Sequence, residues 1–182
     1  MPEAFWWTTT LVLTPLILWA SWIDYSQRRV PNWLNALIAA CGFMVQTFFF
    51  GVSGAQSAAL GMAVGLGVLI VPWLMHGMGA GDVKLMAAIG TWLGPWWTLM
   101  GFCVGAVVGG IIAVVMIVRA GKMWMACANL ATIACKLQSR QRIFSEFGSA
   151  RSFGSTSALL PYGVPLTIGT LIVWFGQDCG LW

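Results

Sequence analysis

The chain has 182 residues, of which 59% are hydrophobic and 8% charged, with a mean hydropathy of +0.85 and a net charge of +4. Soluble domains carry about 25% charged residues, so the composition excludes a soluble enzyme or binding module and predicts one all-α membrane domain over residues 1–182. The positive excess does not argue for nucleic acid, because the placement of the basic residues in a bilayer explains it better.

A spanning helix needs about 20 apolar residues, and six segments fit that template. The first runs from about Ala4 to Ile23, with a bend expected at Pro15. No positively charged n-region and no small-residue cleavage site accompany it, so it reads as a retained span. It ends in Asp24-Tyr25-Ser26-Gln27-Arg28-Arg29-Val30-Pro31-Asn32, a polar loop with an acid in it. Pro31 stops helix continuation and Asn32 is a natural N-cap, which starts a second helix running from Trp33 to about Phe50. A short uncharged turn, Gly51 to Gly54, leads to a third helix from about Ala55 to Met75. Gly61 and Gly65 stand there at GxxxG spacing, which lets two membrane helices approach closely.

The next stretch, His76-Gly77-Met78-Gly79-Ala80-Gly81-Asp82-Val83-Lys84, does not belong to its apolar surroundings. Each glycine costs roughly 1 kcal/mol against alanine in a helix, so the run marks irregular or closely approached backbone. A carboxylate beside it at membrane depth is a functional-site candidate. A fourth helix follows from Val83 to about Trp92, then an expected turn at Gly94-Pro95-Trp96-Trp97. The fifth, about Met100 to Val118, repeats small residues at Gly101, Gly105 and Gly109, which predicts a place in the bundle centre. From Arg119 to Ser157 the chain reads as a cytoplasmic segment. Met123, Cys127, Leu130, Ala134 and Leu137 recur there at helical spacing, the pattern of a basic helix lying on phospholipid. The sixth helix is expected from about Ala158 to Gly176.

All nine basic residues fall after the first, third and fifth helices. By the positive-inside rule those exits are cytoplasmic and both termini are periplasmic. This places Asp24 and Asp82 at one membrane boundary. Two carboxylates there suit one chemistry: an ionised one takes a proton from water while a protonated one donates to the leaving amine. That chemistry needs no metal and no cofactor, and the five cysteines have no metal-ligand spacing. Each aspartate's own helix end favours a proton on Asp24, at a helix C-terminus, and an ionised Asp82, at a helix N-terminus, whereas Arg28 and Arg29 argue for an ionised Asp24. Gly79, Gly81, Pro31, Asn32 and Lys84 are candidate loop-shaping or substrate-binding positions. Lys84 stands two residues after Asp82, on another face, and is expected to meet lipid phosphate. His76, the sole histidine, reads as an interfacial residue.

Asp24 followed by Arg28, Arg29 and Val30-Pro31-Asn32, then Gly79-Ala80-Gly81-Asp82-Val83-Lys84, then Leu160-Pro161-Tyr162-Gly163, resembles the type IV prepilin peptidases. These are bacterial inner-membrane aspartic proteases of the GxGD type, and the motifs stand in the family's order. The resemblance implies Asp24 and Asp82 as the catalytic pair, and Gly79 and Gly81 as the motif glycines. It implies cleavage of the short basic leader of prepilins or pseudopilins, after a glycine, on the cytoplasmic side. The absence of CxxC pairs implies the peptidase-only branch serving Flp-type or plasmid-type pili, without methyltransferase activity. An acid-pair transporter or channel and a non-enzymatic pilus assembly factor are the competing classes, and only the peptidase shortens a co-expressed prepilin. The sequence carries no signal for an oligomeric state.

Overall fold

The structure is a computed structural model that describes residues 2–27, 30–74, 79–119, 121 and 162–178. These residues form four helices: α1 (Glu3–Gln27), α2 (Asn32–Leu74), α3 (Ala80–Arg119) and α4 (Gly163–Asp178). The first three are long and apolar enough to cross a membrane. The compact unit holding the candidate site comprises residues 1–109 and 161–182; a second unit begins at Gly110.

α2 has 43 residues, about 64 Å of helix at 1.5 Å per residue, roughly twice the hydrocarbon thickness of a bilayer. It does not run straight. Gly51 takes φ 61° and ψ −138°, a left-handed conformation that breaks the helix into legs 32–50 and 52–74. The legs fold back on one another, because Gly42 packs on Thr91 and Trp92 while Gly61 packs on neighbouring Gly90. α3 is likewise interrupted at Gly94 (φ 76°), giving legs 80–93 and 95–119. The expected turns at Gly51–Gly54 and Gly94–Trp97 are therefore each compressed into one glycine. Pro95 follows directly and starts the next leg, where its missing N–H costs nothing.

The bundle is centred differently from the sequence reading. The 80–93 leg buries Asp82, Val83 and every residue from Leu85 to Gly94, on all faces, as a helix surrounded by others must. The glycine-rich 95–119 leg buries Thr98, Gly101, Gly105 and Gly109 as a single stripe, while Val107, Ile111 and Val115 face outward. Its glycines make one close seam, against Pro165, Leu166, Gly169 and Thr170 of α4. Small residues thus mark a contact between two helices, and the bundle centre goes to the leg that is apolar all round. The GxxxG pair of the 52–74 leg packs backbone to backbone on that central leg, Gly61 on Gly90 and Gly65 on Met86 and Ala87.

The core joins α1, the 32–50 leg, the central leg and α4 through Phe5, Ile17, Leu34, Ile38, Leu85, Ile89, Trp92 and Trp174. Two of its polar side chains are tied to backbone: the Trp92 indole donates to the Ile38 carbonyl (2.8 Å), and the Gln46 amide donates to the Trp92 carbonyl (2.7 Å). α1 runs through Pro15 to Gln27, one turn beyond the expected end. Its buried stripe, Phe5, Thr9, Leu13, Ile17, Ser21 and Asp24, keeps near-helical spacing to the last residue. That extra turn carries Asp24 inward. α4 starts at Gly163, and residues 158–161 of the expected sixth helix lie outside the described residues, as do His76, Arg28, Arg29 and the proposed surface helix beyond Gly121.

Candidate active site

Three helix ends meet at the site: the last turn of α1 and the first turns of α3 and α4. Asp24 is 4% exposed and Asp82 7% exposed, and the two carboxyls lie within electrostatic reach of one another. The structure thus brings together the two aspartates singled out in the sequence, although 57 residues separate them in the chain.

Asp82 is set by the glycine motif. α3 begins inside it, at Ala80, and the Asp82 N–H donates to the Gly79 carbonyl (3.2 Å). The Asp82 carboxyl in turn lies back against Gly79, its Oδ2 3.3 Å from where a Cβ would stand there, at the position of the third helical residue of a capping box. The two motif glycines have separate reasons. A Cβ at Gly79 would lie 3.3 Å from Asp82 Oδ2, and one at Gly81 would lie 3.3 Å from the Val30 nitrogen. The loop that enters α2 consequently lies against the glycine motif with no side chain between.

Asp24 is set by α4. The Gly163 N–H, at the N-terminus of α4, donates to Asp24 Oδ2 at 2.9 Å. The Ser21 hydroxyl, one turn back on α1, donates to the Gly163 carbonyl at 3.3 Å and bonds the Thr167 hydroxyl. This cluster pins the start of α4 to the end of α1. It also corrects the expectation about protonation: Asp24 closes α1 but faces the opening of α4, so both aspartates lie at a helix N-terminus. Their helix ends do not distinguish them.

The candidate loop-shaping residues divide. Asn32 does not cap α2 with its side chain; the Pro31 carbonyl accepts from the Leu34 and Asn35 N–H groups (3.2 and 3.3 Å). The Asn32 side-chain oxygen accepts instead from Lys84 Nζ at 2.9 Å. Lys84 is exposed on the face away from Asp82, as its position implied, but its partner is Asn32. One turn deeper, Asn35 Nδ2 donates to the Gly81 carbonyl at 3.3 Å. Two hydrogen bonds therefore link the start of α2 to the start of α3. Ser21, Asn35 and Thr167 escaped the sequence reading, since a polar residue in a spanning helix carries no spacing signal of its own. Gly163 was in view only as part of the Pro161-Tyr162-Gly163 motif, without a role. Among the described residues no group of three or more His, Cys, Asp or Glu could hold a metal ion.

Chemically, two buried carboxyls within electrostatic reach of one another cannot both ionise cheaply. Such a pair can activate water at one oxygen and protonate a leaving group from another.

The chain is 30% identical over 122 residues to "Prepilin leader peptidase/N-methyltransferase" of Neisseria gonorrhoeae, covering 62% of this chain and 41% of that protein. It is 33% identical over 115 residues to the protein of the same name from Stutzerimonas stutzeri, covering 59% and 39%. The chain thus spans about two fifths of the length of these curated relatives. No solved structure matches. The pattern of the type IV leader peptidase family matches residues 11–114, more than half of the chain. That match holds both aspartates and the glycine motif between its ends, and the chain belongs to the type IV leader peptidase family.

Proposed function

We propose that this chain is a membrane aspartic endopeptidase that removes the short basic leader from type IV or Flp-like prepilins and pseudopilins. Asp24 and Asp82 form the catalytic pair, one accepting a proton from water and the other donating to the leaving amine. The observation that carries this reading is the convergence of two buried carboxyls, each at the start of a helix. A transporter acid pair would instead be expected near the bilayer midplane, among discontinuous helices of repeated halves.

The six helical legs are six crossings of the bacterial inner membrane, with both termini periplasmic and the site at the cytoplasmic face. This topology is supported by the nine basic residues, which then all fall on one side. The substrate leader is basic and so meets the same face. Its scissile segment must be extended, because a helix hides its peptide bonds.

The test is co-expression with a prepilin in a host lacking its own peptidase, comparing wild type, Asp24→Asn and Asp82→Asn at equal membrane abundance. Each carboxyl must change protonation state during turnover, so each variant is expected to lose about 10²–10⁴-fold in cleavage rate. Full activity in either variant removes that residue from the mechanism, and no shortening by wild type removes the peptidase reading.

A further inference from the structure

Asn35 has one polar atom that the fold leaves unused. The residue lies in the first turn of α2 with its side chain 4% exposed. Its Nδ2 donates to the Gly81 carbonyl at 3.3 Å, which also fixes the sense of the amide, since the flipped form would set oxygen against oxygen. Oδ1 is buried and has no hydrogen-bond partner among the described residues. Buried acceptors are nearly always paired, and an exception calls for an explanation.

Among the described residues, two donors at this junction are engaged elsewhere: the Asn35 N–H serves the Pro31 carbonyl and Lys84 Nζ serves Asn32. Gly81, whose carbonyl Asn35 holds, immediately precedes Asp82. The free oxygen therefore belongs to an amide anchored one residue from a proposed catalytic carboxyl, beside backbone that bears no side chain. What such a position lacks is a donor, and an extended peptide supplies donors at regular intervals. Its N–H groups have lost their helical partners and are leaving water, so each needs an acceptor.

We propose that Asn35 is a substrate-binding residue whose side-chain oxygen accepts a backbone N–H of the extended segment flanking the scissile bond. This rests on the peptidase reading and adds the subsite to it. The contact reads main chain and not side chain, so it holds the register of the peptide without selecting its sequence. A residue that only braced the Gly81 loop would need Nδ2 alone.

The experiment is a cycle between Asn35 and single substrate amides. Synthetic prepilin peptides carry an ester in place of one amide at a time on either side of the scissile bond, leaving that bond intact. kcat/KM is measured for the wild-type full chain, Asn35→Leu and Asn35→Ala, with melting temperatures as a check on folding. One ester position is expected to cost wild type about tenfold, the worth of one hydrogen bond to a desolvated amide, and to cost each variant less than about twofold. Equal losses in wild type and variants at every position overturn the proposal and leave Asn35 as a brace of the glycine motif. If only one variant folds, the cycle with that variant decides. Failure of wild type to cleave the all-amide peptide is a different result, which removes the peptidase reading itself.

Discussion

Gly163→Ala is the sharpest perturbation the site allows. A Cβ built at Gly163 lies 2.7 Å from Asp24 Oδ2 and 3.1 Å from its Cγ, where ordinary contact begins at 3.4 Å. The carboxyl must therefore retreat by roughly 0.7 Å, and at 4% exposure it has little room in which to do so. Retreat also stretches the 2.9 Å bond from the Gly163 N–H. A misplacement near 1 Å in a catalytic group costs about 10²-fold. The backbone itself does not oppose the change, because the positive-φ glycines are Gly51, Gly94 and Gly121, and alanine is the better helix former. The expected outcome is a prepilin cleavage rate lowered about 100-fold with a melting temperature close to that of wild type. Gly67→Ala is the control: nothing lies within 4 Å of a Cβ there, and activity should not change. Gly163→Ala with cleavage within about threefold of wild type would show that the α4 start does not set Asp24 for catalysis.

Other perturbations probe the frame around the pair. Gly61→Val forces a side chain into the Gly90 carbonyl and should destabilise by about 1–3 kcal/mol, as overpacking does; an unchanged unfolding midpoint in detergent refutes the close crossing. Ser21→Ala removes the hydroxyl that joins α1 to Gly163 and Thr167, with an expected loss of about 1 kcal/mol and a several-fold slower cleavage. Unaltered stability and rate together would dismiss the α1–α4 pin. Reporter fusions at Gly54, Trp97 and Asp178 should read periplasmic and those at Arg29, Lys122 and Ser149 cytoplasmic; a cytoplasmic signal at Gly54 ends the six-crossing arrangement.

The sequence alone determined the membrane class, the long apolar helices and the two aspartates that the fold then brings together. Those signals are local: apolar length and the isolation of a carboxyl near glycines can be read residue by residue. It also located the chain breaks, because only glycine takes the left-handed backbone found at Gly51 and Gly94 without strain. What it could not rank was the helices against one another. The glycine repeat of the 95–119 leg and the apolar continuity of the 80–93 leg both signal burial. Only packing shows that the first serves one neighbour and the second serves all. The surroundings of Asp24 were equally out of reach. Its own helix end suggested one electrostatic setting, and the N-terminus of α4, 139 residues further along the chain, supplies the opposite one. Nor could spacing reveal Asn35 or Ser21, whose roles arise from partners on other helices. Helix propensity and hydropathy act along the chain, whereas a hydrogen bond between α1 and α4 exists only once the bundle has closed.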